Sequence, residues 1–126
     1  MRSDEFISNV RELAELDSNE EAQRAISATL GTLKERLAGN EPNNLADQLP
    51  PEVAEPLKGE GGRESFSLTE FYRRVGEKEG VGEPEAIRHA RAVAATLQAA
   101  VTTGVLDDVR DQVKPEYQEL FGAKGA

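Results

Sequence analysis

The chain has 126 residues, no cysteine, one histidine and a formal net charge of −9 at pH 7. The lack of cysteine excludes a disulfide framework and thiolate chemistry. The negative charge argues against nucleic acid or an anionic membrane surface as a direct partner, because both are bound through positive patches. The acidity is typical of a solvating surface, with adaptation to high salt as the alternative interpretation.

The sequence also predicts the cellular compartment of the protein. No apolar run approaches the roughly 18 residues that a membrane-spanning helix needs. The chain starts with MRSDE, which turns acidic at once and does not begin a hydrophobic signal segment. We therefore expect a cytoplasmic protein with no membrane partner.

The first half of the chain predicts four helices. An apolar period of 3.6 residues indicates a first helix over residues 4–16. A capping box that begins at Ser18 opens a second helix, which continues to Ala38. Two short helices follow over residues 45–49 and 52–57, the second of them preceded by a proline that suits a first helical turn.

A segment rich in glycine and charge, residues 58–66, is predicted to be a linker. The next capping box starts at Ser67. Phe66 before this cap and Phe71 after it are placed as a hydrophobic staple. Together they predict a fifth helix that continues towards Gly80.

The remaining sequence predicts three more helices. The sixth opens at Pro84 and closes at Gly104. Asp107 and Asp108 are expected to cap a short seventh helix, and Pro115 to start an eighth. No segment reads as a strand, so the predicted fold class is all-α.

The two halves repeat one pattern, at an offset of 65 residues and then, after a one-residue deletion near Ser18, at 64. We call residues related by this offset counterparts. Repeats over residues 4–57 and 68–121 are each too short to bury much of their own surface. We therefore expect a single domain over residues 1–126, a pseudo-twofold helical bundle of two four-helix repeats that share one core. Identical counterparts include Glu5/Glu70, Phe6/Phe71, Val10/Val75, Arg24/Arg88, Ala28/Ala92, Thr32/Thr96, Leu33/Leu97, Asp47/Asp111 and Gln48/Gln112.

The second and sixth helices are predicted to contact each other. Opposite its apolar stripe, the sixth helix has small residues at Ala92, Ala95, Thr96 and Ala99. A helix of this kind can accept neighbours on both sides.

Arg24 and its counterpart Arg88 are the first candidate site residues. A doubled arginine could bind an anion in each half by bidentate contacts. We favour structural ion pairs within each half, because the acidic residues are repeated in step with the arginines. The acids proposed for them are Asp47 or Glu12 for Arg24, and Asp111 or Glu77 for Arg88.

The pairs Asp47-Gln48 and Asp111-Gln112, each followed by Pro-Glu, form the second candidate. Such carboxylates could serve as general bases or metal ligands. We interpret them instead as residues that satisfy exposed backbone groups at the junction of two short helices.

His89 is the only histidine, and Glu85 lies one helical turn before it. The two side chains could meet and form half of a metal site. Because Ala25 is the counterpart of His89, the feature is not repeated, which favours an ordinary boundary histidine. Glu85 and His89 are kept as ligand candidates, and we predict no catalytic residue, no cofactor and no bound metal.

The repeats contain a doubled set of short motifs. They are Glu70-Phe71, Glu85-Ala86, Arg88-His89-Ala90, Asp111-Gln112-Val113 and Pro115-Glu116-Tyr117, with the partner copy at Glu21-Ala22, Arg24-Ala25 and Asp47-Gln48-Leu49-Pro50. Through these motifs the chain resembles the prokaryotic domain-of-unknown-function family 2267 over nearly its whole length. The resemblance implies a small, all-helical bacterial or archaeal protein, and it supplies no activity, cofactor or catalytic residue.

These patterns do not identify the function. Our first hypothesis is a non-catalytic helical module that binds a protein partner or itself, since two similar halves suit a twofold dimer. The alternative is a domain that binds a small molecule, an anion or a metal, regulatory or enzymatic, with its pocket between the halves near Arg24 and Arg88.

Overall fold

The computed structural model describes residues 1–113 and 115–122, and every regular element in these ranges is helical. The predicted all-α class is confirmed. None of the described helices combines the length and apolar character that crossing a bilayer requires. The α-helices are α1 (Ser3–Leu13), α2 (Asn19–Arg36), α3 (Glu41–Ala46), α4 (Pro51–Ala54), α5 (Leu68–Glu79), α6 (Glu83–Ala100), α7 (Thr103–Gln112) and α8 (Gln118–Phe121), with 3-10 turns at Glu55–Leu57 and Pro115–Tyr117.

Both serine caps are present as predicted. The Ser18 hydroxyl accepts a 3.2 Å hydrogen bond from the backbone N–H of Glu21, and the Ser67 hydroxyl accepts one of 3.1 Å from Glu70. These bonds satisfy one of the free N–H groups at the start of α2 and of α5.

Several predicted boundaries are wrong. Helix α1 ends at Leu13 rather than at residue 16, and α8 begins at Gln118, after a 3-10 turn that starts at Pro115. Helix α3 begins at Glu41 rather than at residue 45, because Pro42 fits a first helical turn. Helix α6 ends at Ala100, not at Gly104. There the chain becomes extended, and Thr102 rather than Asp107 or Asp108 caps α7, its hydroxyl accepting from the N–H of Val105 at 3.4 Å.

The long helices α2 and α6 contact each other, as predicted from the small residues on α6. Helix α1 packs against both of them, and so does α5. Each half therefore contributes two helices to a central group of four. Contacts between α3 and α7 and between α6 and α8 place short helices at its edges.

Buried apolar side chains from both halves form one continuous cluster. Its largest fully buried member is Tyr117, whose ring meets Phe71 edge-to-face with centroids 5.8 Å apart. The Tyr117 hydroxyl donates to the carbonyl oxygen of Phe66 at 2.8 Å, so the polar end of the ring is satisfied.

The segment predicted as a linker follows the end of α2 closely. Backbone N–H groups of Gly61 and Gly62 donate at 2.9 Å to the carbonyl oxygens of Gly39 and Lys34. Glu64 donates in the same way to Glu35 at 3.0 Å. The connection between the halves is therefore held against the first half by its own backbone.

Candidate functional site

A buried carboxylate and a buried imidazole meet where α5 is followed by α6. Oε2 of Glu79 lies 2.8 Å from Nδ1 of His89, and Oε1 lies 3.1 Å from the same nitrogen. The Glu79 side chain is 2% exposed and the His89 side chain 7%. Burying a polar pair of this kind costs desolvation free energy, so its presence in the core needs a structural or functional explanation.

Two glycines bring the helices close enough for this contact. Gly80 ends α5 in the left-handed conformation, with φ of 74°, and the chain can then turn back into α6. Gly76 lies one turn earlier, where an added Cβ would be 3.0 Å from the carbonyl oxygen of Val81 and 3.3 Å from Cβ of Ala86. A side chain at position 76 would push the two helices apart.

Burial and the neighbouring positive groups shift the pKa of Glu79 in opposite directions. Burial raises the pKa of Glu79 above its ordinary value, whereas the hydrogen bond from His89 and the positive charge of Arg24 lower it. The other ring nitrogen of His89, Nε2, is buried and has no hydrogen-bond partner among the described residues. In the His89 ring, Nδ1 therefore has a hydrogen-bond partner and Nε2 has none among the described residues.

The pair lines a small cavity together with Glu21 and Arg24 of α2. Its volume is about 160 Å³, well below the roughly 300–1,000 Å³ of pockets that hold drug-sized ligands. Arg24 also lines a wider, open groove of about 460 Å³. Cavity and groove thus adjoin at one exposed guanidinium. The lining of the groove is Glu20, Gln23, Arg24, Ser27, Ala28 and Lys78.

The counterparts of the buried pair are both alanines. Glu79 corresponds to Ala14 at the offset of 65, and His89 corresponds to Ala25 at the offset of 64. Both alanines are fully buried. At the corresponding positions of the sequence, the first half therefore has two buried methyl groups instead of a carboxylate and an imidazole.

Neither candidate arginine is brought to the acids proposed for it. No ion pair within residues 1–113 and 115–122 joins Arg24 to Asp47 or Glu12, or Arg88 to Asp111 or Glu77. Arg88 instead donates from Nε to the carbonyl oxygen of Ala14 at 3.3 Å, and Glu77 pairs with Arg73 at 2.9 Å. The reason is positional. Arg88 reaches the end of α1, where the helix ladder stops and the carbonyl oxygen of the C-cap residue Ala14 can accept from a side chain.

The Asp-Gln pairs act through their glutamines. Oε1 of Gln48 accepts a hydrogen bond from the N–H of Thr102, and Oε1 of Gln112 accepts one from the N–H of Ala38. The predicted role was at the junction of the two short helices of the same half, whereas each glutamine satisfies a backbone N–H of the opposite half. Asp47 and Asp111 are exposed.

The structure does not bring Glu85 to His89 as a metal half-site. Nδ1 of His89 is bound to Glu79, and Oε2 of Glu85 lies where it would be 2.8 Å from a Cβ added to Gly82. In the described ranges, no group of three or more histidine, cysteine, aspartate or glutamate side chains is arranged to hold a metal ion.

Sequence reasoning missed Glu79 as a site residue. It lies ten residues before His89, so no helical spacing connects the two. A signal was nevertheless present, since both positions depart from the repeat, with Glu79 against Ala14 and His89 against Ala25.

The model of one protein family, described as uncharacterized conserved protein (DUF2267), matches residues 3–120 of the chain. No curated protein matches it.

Proposed function

The chain belongs to the DUF2267 family, and we propose that it is a non-catalytic binding module that recognises an anionic group at Arg24. The observation that carries this proposal is the buried Glu79–His89 pair in a place that the first half fills with Ala14 and Ala25. A polar arrangement that the scaffold can do without is a candidate for function.

Arg24 supplies the charge that an anion needs. It is exposed, lines both the small cavity and the open groove, and makes no hydrogen bond or ion pair with any described residue. A guanidinium can take an oxyanion through two parallel hydrogen bonds. The about 160 Å³ of the cavity suits a single carboxylate, sulfate or phosphate group, while the rest of a larger ligand would lie along the groove.

Ligand-dependent melting tests the proposal. Sodium sulfate, phosphate and acetate should each raise the melting temperature above that in sodium chloride of equal ionic strength, because a ligand of the native state stabilises by RT ln(1 + [L]/Kd). Arg24→Gln should abolish the rise. Arg88→Gln is the matched control, since Arg88 is the counterpart of Arg24 but donates to Ala14. The proposal fails if none of the anions raises the melting temperature, or if both variants lose the effect equally.

Self-association is a second candidate, favoured by Leu13. This leucine on α1 is 57% exposed, while its counterpart in the second half is Lys78. A second copy of the chain that packs on α1 would cover it. Sedimentation equilibrium should then detect a dimer that Leu13→Lys converts to monomer. A wild-type chain that stays monomeric at millimolar concentration would contradict this.

A further inference from the structure

Concave surface continues from the groove at Arg24 across the exposed side of α2. Gln23 and Ser27, both exposed on α2, line this groove and also a cleft of about 210 Å³ that faces α1 and α4. The cleft shares Ile7 and Glu52 with a depression of about 500 Å³ at the start of α1. The groove, the cleft and the depression therefore adjoin one another, and we call the surface that they form the α2 furrow.

The end of the α2 furrow next to α5 is positively charged. Arg24 is exposed there and makes no hydrogen bond or ion pair with a described residue. Lys78 supplies a second cation, and its ammonium group is held at 2.9 Å by the hydroxyl of Thr32 and at 3.2 Å by the carboxylate of Glu35. Among the described residues that line this groove, Glu20 is the only acid. A carboxylate of a ligand is therefore attracted to this end, where Arg24 is available to it.

The end next to α1 and α4 carries an unpaired carboxylate. Glu52 is exposed on α4 and makes no hydrogen bond or ion pair within the described ranges. Arg2 and Asp4, which line the same depression, are paired with each other at 3.0 Å. Glu116, the counterpart of Glu52, instead accepts a hydrogen bond of 3.3 Å from the N–H of Leu68. The carboxylate of Glu52 is thus free to pair with a cation of a partner.

The middle of the α2 furrow is lined by short side chains. Ile7 lines the cleft, whereas its counterpart in the second half is Tyr72, which is 5% exposed. Ser27 borders the cleft and the groove, and its counterpart Arg91 has a long side chain that is engaged in an ion pair. The short side chains of the first half favour an open surface between the two charged ends.

We propose that the α2 furrow binds an extended segment of a partner protein in which an acidic and a basic side chain lie about three or four residues apart. This inference rests on the proposed binding of an anionic group at Arg24 and names the partner that supplies the group. The acidic side chain pairs with Arg24 and the basic one with Glu52, while an apolar side chain between them enters the cleft beside Ile26. A helix with its side chains is about 10–12 Å across, and three or four extended residues at about 3.3 Å each span that distance.

Peptides that differ only in charge test the proposal. The probes are amidated tetrapeptides and pentapeptides with a fluorescent label at the amino end. They carry glutamate at one end and lysine at the other, in both orders, with alanine, leucine or valine between them. Control sets carry glutamate at both ends or lysine at both ends. Binding is followed by fluorescence anisotropy at about 0.15 M salt, which screens long-range attraction to the net charge of −9. The mixed-charge peptides should bind about two- to fivefold more tightly than either control set.

Charge reversal at each end of the furrow makes the test specific. Glu52→Lys should shift the preference to peptides with glutamate at both ends, and Arg24→Glu should shift it to peptides with lysine at both ends. A purely structural role of either residue would not invert the preference. Glu12→Lys changes the net charge equally at an exposed position of α1 outside the furrow and should leave the preference unchanged. Arg88→Gln should also behave as the wild type.

The outcomes separate this inference from the proposed function. If sulfate stabilises the protein through Arg24 but no mixed-charge peptide is preferred over both control sets, the partner is wrong and the binding function stands. If neither sulfate nor any peptide binds, both proposals fail. A preference that Arg24→Glu inverts and Glu52→Lys does not would overturn the furrow as the binding surface. Sulfate binding that Glu52→Lys leaves intact, together with an inverted peptide preference, is the result that we expect.

Discussion

Oε1 of Gln48 accepts a hydrogen bond of 2.7 Å from the backbone N–H of Thr102, the residue of the opposite half that caps α7. Oε1 of its counterpart Gln112 accepts one of 2.8 Å from the N–H of Ala38, which follows the end of α2. Ala38 and Thr102 are themselves counterparts, 64 residues apart. The two contacts are thus exchanged between the halves, which supports our proposal that the halves are related by a pseudo-twofold axis.

The more buried of the two glutamine contacts should contribute more to the free energy of unfolding. Gln112→Ala leaves the partly buried N–H of Ala38 without a partner, which should lower the free energy of unfolding by about 1–3 kcal/mol. Gln48→Ala should cost less, about 0.5–1.5 kcal/mol, because its contact with Thr102 is exposed and water can replace it. Urea unfolding followed by circular dichroism measures both.

Gln98→Ala is the control for these variants. Gln98 is exposed on α6 and makes no hydrogen bond with another described residue. The substitution should leave the unfolding free energy within about 0.5 kcal/mol of the wild type. Equal effects at Gln48, Gln98 and Gln112 would mean that the exchanged contacts do not stabilise the fold.

Removing only His89 from the buried Glu79–His89 pair should lower the free energy of unfolding more than removing both residues. His89→Ala leaves the carboxylate of Glu79, 2% exposed, without its partner, and should destabilise the protein by about 3–5 kcal/mol at neutral pH. Glu79→Ala/His89→Ala should recover most of that loss, because an apolar replacement of a buried pair is often neutral or better. Chemical unfolding of the two variants and of Glu79→Ala completes a double-mutant cycle. A double variant that is less stable than His89→Ala would contradict the prediction.

Glu41 should make stability depend on pH. Burial and the charge of Asp108 raise the pKa of Glu41 above its ordinary 4.5, although a hydrogen bond from Asn44 lowers it. The folded state therefore holds this proton more tightly than the unfolded chain does, so stability is lost as the pH rises from below 4.5 through the raised value. Glu41→Gln keeps an acceptor for Gln112 and should be more stable than the wild type near pH 7. The difference should vanish in acid, where Glu41 is protonated in both states. A constant difference at every pH would refute the assignment.

Much of the fold could be predicted because local chemistry decides it. The serine caps at Ser18 and Ser67 and the contact between α2 and α6 depend on nearby residues or on a regular apolar period. Errors came where two local signals competed. Asp107 and Asp108 are good capping residues, but Thr102 comes earlier and is also held by Gln48, so α7 starts there.

The site could be predicted only in part. Arg24 and His89 were identified as unusual positions, yet their partners depend on how helices from different parts of the chain meet. Glu79 contacts His89 because the chain turns back at Gly80. Arg88 donates to a carbonyl oxygen at the end of α1 rather than to a carboxylate. Charge matching along the sequence cannot rank such contacts, because a backbone oxygen at a helix end competes with any acidic side chain.

Gly31 offers a stabilising substitution. It lies within α2, and an added Cβ would have only an ordinary contact of 3.9 Å with Cε of Lys78. Its counterpart is Ala95. Gly31→Ala should raise the free energy of unfolding by roughly 0.5–1 kcal/mol, since glycine inside a helix loses more backbone entropy on folding. Thermal melting should detect the gain.

Gly62→Ala should have the opposite sign and serves as the comparison for Gly31→Ala. A Cβ there would lie 2.7 Å from the carbonyl oxygen of Glu35 and 2.9 Å from its Cα. These are backbone atoms of α2, so the connection between the halves would have to move. A rise in melting temperature for Gly62→Ala would show that this close approach is not important for stability.

Separation of the halves tests the single-domain proposal. A cut at Gly61 would leave α1 and α2 without α5 and α6, although α1 packs on α6 and α5 packs on α2. Each fragment would then expose the apolar face that the other now covers, and the partners of Gln48 and Gln112 would lie on the missing fragment. We expect each fragment alone to be unfolded or self-associated, and the two mixed together to recover the helical signal of the intact chain. Circular dichroism and light scattering on the separate and mixed fragments measure this. A fragment that unfolds cooperatively as a monomer would show that one half carries a sufficient core of its own.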